Sequence, residues 1–182
     1  MNRTIGRDKR HVVPIRNSRK TLPVMTTLFG PIRTLVVDDS KEERDLLRAQ
    51  LARVASVKLI FTLEDGFQAV GYLQGVGQFG NRRLFPYPEL MLLDFQMPRC
   101  NGMQVLEHLR YQPARPFVVL WSNNHEQIDE PLALRLGADL VCAKPNNCEQ
   151  LEQIIHRLQI NTFGEIGLPR CDNAAVSMPL SV

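Results

Sequence analysis

Two short apolar segments that end in acidic residues constrain the fold of this chain more than any other feature. Leu35–Val37 is followed by Asp38 and Asp39, and Leu90–Leu93 is followed by Asp94. Runs of this length and composition are typical of buried parallel strands. In an open α/β sheet, the carboxyl ends of such strands line the crevice in which ligands bind. The pattern therefore predicts that three carboxylates meet in one crevice.

Strand-like and helix-like patterns alternate along most of the chain. Short apolar runs predict strands at 32–37, 57–62, 89–94, 117–121 and 138–143. Ser40 and Glu43 fit a capping box that opens a first helix. Apolar residues at spacings of three and four predict further helices at 64–74, 102–111, 126–136 and 147–158, and the Gly- and Pro-rich segment 75–88 reads as a long loop.

This alternation predicts the α/β class. We expect a flavodoxin-like, doubly wound sheet of five parallel strands in the order 2-1-3-4-5, with helices on both faces. In that order the first and third strands are neighbours, which brings Asp38, Asp39 and Asp94 together.

The charge of the chain is unevenly distributed. The net charge is +3, yet residues 1–30 alone carry seven Lys or Arg and one acid. We predict a basic, disordered N-terminal extension at 1–31, a folded domain at 32–160 and a loose C-terminal tail at 161–182. The extension could contact nucleic acid or an acidic partner, could merely aid solubility, or could reflect a start site at Met25. A DNA-binding regulator is the least favoured function, because no reading helix follows the basic segment.

Several broad classes of protein are disfavoured by composition. No apolar stretch approaches the roughly 20 residues that span a bilayer, and the N-terminus lacks the apolar core of a signal peptide. The four cysteines show neither a C-x-x-C pair nor zinc-ligand spacing. We therefore interpret them as reduced thiols in a cytoplasmic protein without membrane contact.

The predicted crevice suits phosphoryl chemistry. Three close carboxylates require a cation, and hard oxygen ligands favour Mg²⁺. A carboxylate beside Mg²⁺ can act as a nucleophile and form an aspartyl-phosphate, here on Asp94. Ser122 and Lys144 directly follow the fourth and fifth strands. A lysine there can neutralise a phosphoryl oxygen, and a serine can donate a hydrogen bond to another.

These residues resemble those of a known family. The segments Val36–Ser40 and Leu92–Gly102, then Ser122, then Lys144-Pro145, appear in order and each at a strand end. Over about residues 32–160 the chain resembles the response-regulator receiver domains of two-component signalling.

The resemblance implies roles for individual residues. Asp94 would accept phosphate from a sensor histidine kinase or a phosphotransfer protein. Asp39 and Asp94 would bind Mg²⁺ through their side chains, and Asp38 mainly through water. The backbone carbonyl of Gln96 would also bind the metal, and the Gln96 side chain would influence how fast water reaches the phosphate.

The resemblance also implies how the site responds. Ser122 would move towards the phosphoryl group, and Lys144 would bind it. The Lys144–Pro145 peptide bond would be cis.

The chain departs from the family pattern in three places. Val141 stands where receivers commonly have an aromatic switch residue, and Asn101 replaces a frequent aspartate. The separation between Asp39 and Asp94 is long, with the excess in 75–88. A similar enlargement occurs in stand-alone receivers that serve phytochrome-type sensor kinases.

The leading functional hypothesis is a stand-alone receiver, not an enzyme, which signals by changing the protein that it binds. No output domain follows the predicted domain, so signalling would use the fourth helix, fifth strand and fifth helix; a homodimer is one arrangement left open. Exposed residues expected on that surface are Gln127, Arg135, Asn146 and Gln150.

Two other functions remain open. One is a receiver-like binding module that acts without phosphorylation. The other is an aspartyl-phosphate phosphohydrolase, which is disfavoured because Gln96 occupies the position of its second carboxylate. We also interpret Trp121 as a core residue and Arg82-Arg83 as a solvated loop pair.

Overall fold

A computed structural model describes residues 31–112 and 114–163, with side chains described as far as Leu158. The basic extension, Cys171 and most of the C-terminal tail lie outside this part, so the division into extension, domain and tail stays a prediction. Among the described residues, no helix is both long enough and apolar enough to cross a membrane.

Five parallel strands form one sheet. They are β1 (Ile32–Val37), β2 (Val57–Leu63), β3 (Leu90–Asp94), β4 (Phe117–Ser122) and β5 (Leu140–Ala143). Their spatial order is β2-β1-β3-β4-β5. This confirms the predicted strand order.

In the described part of the chain, five α-helices connect or follow the strands, and a short 3-10 helix at Gly77–Gly80 lies within the predicted 75–88 loop. The α-helices are α1 (Lys41–Leu51), α2 (Gly66–Gln74), α3 (Gly102–Leu109), α4 (Glu130–Leu136) and α5 (Cys148–Phe163). The last helix continues past its predicted end at Leu158 and past the predicted domain boundary at 160.

Each face of the sheet is covered by its own hydrophobic cluster. Helices α1 and α5 pack on one face, where Leu51 and Leu151 meet Val36 and Trp121. Helices α2, α3 and α4 cover the other face. Two predictions are thereby confirmed. Helices cover both faces of the sheet, and Trp121 is a core residue with no exposed surface.

The connection between β4 and α4 differs from its prediction. A continuous helix was predicted over 126–136, but a single 3-10 turn at His125–Gln127 precedes a separate α4. The break occurs because Ile128 is extended and the Asp129 side chain caps α4 by accepting from Leu132 N. Pro131, in the first turn, suits a helix start.

The spacing of Phe67, Val70 and Leu73 predicts that they form the buried face of α2, but only Leu73 of the three is buried. Phe67 is 59% exposed, whereas Ala69 and Tyr72 are fully buried. Tyr72 belongs to an aromatic group whose neighbouring ring centroids lie 5.1–6.2 Å apart, formed by Phe61, Tyr72, Phe79 and Phe85. Contacts with Phe79 and Phe85 therefore favour the orientation of α2 in which Tyr72 is buried.

Arg82 organises the 75–88 segment. Its guanidinium donates to the carbonyls of Tyr72 and Leu73, each at 2.7 Å, and so caps the end of α2. Gly75 ends that helix with a φ of +69°, and a Cβ there would lie 2.7 Å from the guanidinium. The interpretation of Arg82 as a solvated residue is thus wrong, while Arg83 is exposed.

Candidate functional site

Strand register assembles the site. Val37 pairs with Leu93, so the residues that follow them, Asp38 and Asp94, lie side by side. Ser122 pairs with Ala143, and Lys144 N donates to Ser122 O at 3.0 Å. All the predicted strand-end residues therefore lie at one edge of the sheet.

Three carboxylates form one group. An oxygen from each of Asp38, Asp39 and Asp94 lies within 4.8 Å of the others. Asp38 and Asp94 are buried, whereas Asp39 is exposed. A trio of carboxylate oxygens at this spacing, open on one side, is a donor set that fits Mg²⁺.

Lys144 is the cation of the site. Its Nζ lies 2.9 Å from Asp38 Oδ2 and 2.9 Å from Asp94 Oδ1, and it also donates to Glu43 Oε2. The side chain is only 10% exposed. One ammonium group thus contacts three carboxylates.

Burial and charge shift the pKa values of these groups in different directions. Burial is the main cause that raises the pKa of Asp94 to about 6; Lys144 opposes this shift, while the charges of Asp38 and Asp39 add to it. Burial likewise raises the pKa of Asp38. The pKa of Lys144 is raised in spite of its burial, because it donates hydrogen bonds to Asp38 and Glu43. At neutral pH, Lys144 is therefore charged and Asp94 is mostly ionised.

Ser122 and Gln96 line the same crevice. Ser122 is buried, and its Oγ accepts a hydrogen bond from Asn124 N at 3.1 Å. Gln96 follows Asp94 by two residues, and its Nε2 donates to Gln127 Oε1 at 2.7 Å. The exposed Gln96 side chain is therefore bonded to the β4–α4 connection.

Gly102 allows α3 to start directly beneath the site. A Cβ at this position would lie 2.6 Å from the carbonyl oxygen of Asp94. Its backbone N–H donates to Phe95 O at 3.0 Å. A larger residue would push the strand end and the helix start apart, and Asp94 with them.

One expectation about the site is wrong. The Lys144–Pro145 peptide bond is trans, since the described residues contain no cis peptide bond. The trans isomer is the more stable one for an X–Pro bond. Lys144 reaches Asp38 and Asp94 in this form.

Two residues of the site were not predicted from the sequence. Glu43 Oε1 accepts from Asn123 Nδ2 at 2.9 Å, and its other oxygen accepts from Lys144. The pKa of Glu43 is lowered, because these hydrogen bonds outweigh the effect of its partial burial. The available signal was its position in the first turn of α1, the helix that begins two residues after Asp39.

A match to one protein-family model shows the family of this chain. A model described as the response regulator receiver domain matches residues 34–156. The chain belongs to this family. The receiver domain matches more than half of the chain and contains every residue of the site.

Two relatives agree with this assignment. Response regulator Rcp1 of Synechocystis is 27% identical over 137 residues, which are 74% of this chain and 91% of that protein. A protein-glutamate methylesterase/protein-glutamine glutaminase of Myxococcus xanthus is 33% identical over 120 residues, but only 32% of its length is covered. The chain therefore spans most of Rcp1 and about a third of that methylesterase.

Solved structures share the fold. The phosphorylated cyanobacterial phytochrome response regulator RcpA is 27% identical, with a TM-score of 0.59 over 77% of this chain and 99% of that chain. A response regulator in red light signalling of R. palustris is 27% identical, with a TM-score of 0.60 over 70% of this chain and 91% of that chain. The Mn²⁺-bound form of Rcp1 is 26% identical, with a TM-score of 0.58 over 77% of this chain and all of that chain. The similarity is thus to response regulators in both sequence and fold.

Proposed function

We propose that this receiver domain accepts a phosphoryl group on Asp94. The observation that carries the proposal is the position of the Asp94 carboxylate, buried at the end of β3, 2.9 Å from the Lys144 ammonium and beside Asp38 and Asp39. A single nucleophile thus lies next to both an anion-binding cation and a set of metal-binding oxygens.

The transfer follows from these groups. An oxygen of ionised Asp94 attacks the phosphorus of a donor phosphohistidine, and the P–N bond breaks with its electron pair left on the histidine nitrogen. Lys144 neutralises charge on the transferring group, and the Ser122 hydroxyl can donate to a phosphoryl oxygen. Because the pKa of Asp94 is about 6, most molecules hold it in the nucleophilic form at neutral pH.

We propose that Asp38, Asp39, Asp94 and the backbone carbonyl of Gln96 hold Mg²⁺, which would offset negative charge during transfer. Both oxygens of Asp38 already contact protein, since Oδ1 accepts from Ser40 N at 2.9 Å and Oδ2 from Lys144. This supports a contact through water for Asp38 and direct contacts for Asp39 and Asp94. The fit of the three carboxylates to a divalent cation and the similarity to the Mn²⁺-bound Rcp1 structure support the metal assignment.

Asp94→Asn tests the acceptor, with Asp45→Asn as the matched control. Asp45 is an exposed acid on α1, so its replacement removes the same charge far from the nucleophile. With a small phosphodonor and Mg²⁺, intact-mass measurement should show one added phosphoryl group on the parent chain and on Asp45→Asn, and none on Asp94→Asn. Equal labelling of Asp94→Asn would refute Asp94 as the acceptor.

We further propose that phosphorylation changes the binding of a partner protein at the α4–β5–α5 surface. Gln127, Arg135, Asn146 and Gln150 are exposed on or beside these elements. Val141, in place of an aromatic switch residue, leaves loop and helix movement to transmit the signal. Beryllofluoride-induced NMR shifts confined to the opposite edge of the sheet, at β2, would contradict this surface.

A phytochrome-type sensor kinase in the cytoplasm is the partner that we propose as phosphodonor. The support is the similarity to RcpA and to the R. palustris red-light regulator, together with the enlarged 75–88 segment. Phosphotransfer from purified kinases should favour a phytochrome-type donor. Equal rates of phosphotransfer from unrelated histidine kinases would contradict a phytochrome-type kinase as the specific phosphodonor.

We propose no enzymatic activity beyond phosphorylation and dephosphorylation of the chain itself. Only about a third of the Myxococcus methylesterase is covered, so its activity is not carried over. The position that a phosphohydrolase needs for its second carboxylate is held by Gln96, whose side chain is bonded to Gln127.

A further inference from the structure

The Glu43 carboxylate lies inside the site but has no part in the chemistry above. We propose that Glu43 is a positioning residue that holds Lys144 in the unphosphorylated protein and competes with the phosphoryl group for it. The inference rests on the proposed function, since it assumes that the phosphoryl group is carried on Asp94.

Three carboxylates surround the ammonium group of Lys144, which has three protons. Lys144 donates hydrogen bonds to Asp38 and Glu43, and its Nζ forms an ion pair with Asp94 Oδ1 at 2.9 Å. A new bond to a phosphoryl oxygen therefore requires that Lys144 loosen a bond that it already makes.

Glu43 is the carboxylate best placed to leave. Its side chain is 33% exposed, whereas that of Asp38 is fully buried and that of Asp94 is 4% exposed. Asp38 is also fixed by its bond from Ser40 N, and Asp94 itself bears the incoming group. Only the Glu43 carboxylate can return to water at a small desolvation cost.

The sequence of the α1 start explains why Glu43 reaches the site. In a complete capping box, the Glu43 side chain would accept from the backbone N–H of Ser40. That N–H donates instead to Asp38 Oδ1, so only the Ser40 half of the box forms. The Glu43 side chain is thereby left available for Lys144 and Asn123.

The same carboxylate connects the residues that follow β4 and β5. Its Oε1 accepts from Asn123, the residue after Ser122, while its Oε2 accepts from Lys144 after β5. When Lys144 turns to the phosphoryl group and Glu43 leaves, the Asn123 bond is lost as well. Release of Lys144 would thus free the loop that follows Ser122.

Glu43→Gln tests the inference, with Glu42→Gln as the matched control. Both replacements remove one negative charge from the first turn of α1, but the Glu42 carboxylate accepts from the Ser40 hydroxyl and not from Lys144. The measurement is beryllofluoride affinity by fluorine NMR at saturating Mg²⁺. We expect Glu43→Gln to bind about tenfold more tightly than the parent chain, and Glu42→Gln to match it, because a hydrogen bond between charged groups no longer competes.

A second variant keeps the test valid if Glu43→Gln folds poorly. Glu43→Asp retains the charge but withdraws the carboxylate by one methylene, so it should also bind more tightly. Affinities of both Glu43 variants equal to or below that of Glu42→Gln would overturn the inference. Absence of beryllofluoride binding by every variant and by the parent chain would instead contradict the proposed function itself, and the inference with it.

Discussion

At the scale of single residues, the site is defined by unequal burial of similar groups. Asp38 and Asp94 are buried, whereas Asp39 and Glu43 reach solvent. Burial raises the pKa of the first pair, and hydrogen bonds from Lys144 and Asn123 lower that of Glu43. These four carboxylates lie close together in space and acquire different tasks from their surroundings.

The raised pKa of Asp94 predicts a pH-dependent stability in the absence of metal. An unfolded aspartate has a pKa near 3.9, roughly two units below the value of about 6 for Asp94 in the fold. The folded protein therefore binds this proton more tightly, and that stabilising contribution is present below pH ~4 and lost as the pH rises through about 6. With chelator present, the unfolding free energy of the parent chain relative to Asp94→Asn should fall across this window.

The measurement is denaturant unfolding of both proteins at a series of pH values. Saturating Mg²⁺ should reverse the loss above pH ~6, since the ion binds the ionised carboxylates. A difference between the two proteins that stays constant from acid to neutral pH would show that Asp94 is not perturbed in the fold.

At the scale of elements, the 75–88 segment holds one short 3-10 helix at Gly77–Gly80, and its contacts with α2 come from Arg82 and from aromatic side chains. Arg82 satisfies two carbonyls at the end of α2, and Phe79 and Phe85 add to the aromatic group around Tyr72. This segment accounts for the long separation between the acidic strand ends, and it packs on the side of the sheet that holds α2.

Arg82→Ala should destabilise the fold without altering the phosphorylation chemistry. Loss of charged hydrogen bonds to buried carbonyls is expected to lower the unfolding free energy by about 1–3 kcal/mol. Arg83→Ala is the control, because Arg83 is an exposed neighbour of the same type and should change stability by less than about 0.5 kcal/mol. Chemical denaturation measures both values, and equal effects of the two variants would contradict the capping role.

At the scale of the whole molecule, the parts specified by local sequence were predicted and the parts specified by distant contacts were not. Each strand is a short apolar run followed by a polar residue, so the positions of Asp38, Asp94 and Lys144 at strand ends could be predicted from the sequence. The environment of Glu43 depends on Asn123 and Lys144, which lie 80 and 101 residues away. From local sequence alone, Glu43 cannot be told apart from an ordinary capping-box glutamate at the start of a helix.

Helix faces show the same division. Periodicity predicted that α2 exists, but the aromatic group of 75–88 decides that Ala69 and Tyr72, and not Phe67, are buried. The split of the helix predicted over 126–136 has a local cause instead, because the Asp129 side chain caps α4 by accepting from Leu132 N. Both corrections leave the fold class unchanged.

The position of the phosphoryl group is the central claim, and borohydride reduction tests it most directly. An acyl phosphate on an aspartate is reduced to homoserine, which marks the residue in a peptide map. After reaction with a small phosphodonor, we predict homoserine at Asp94, with Mg²⁺ present and not with chelator. Homoserine at Asp38 or Asp39 instead, or at none of the three, would contradict the account.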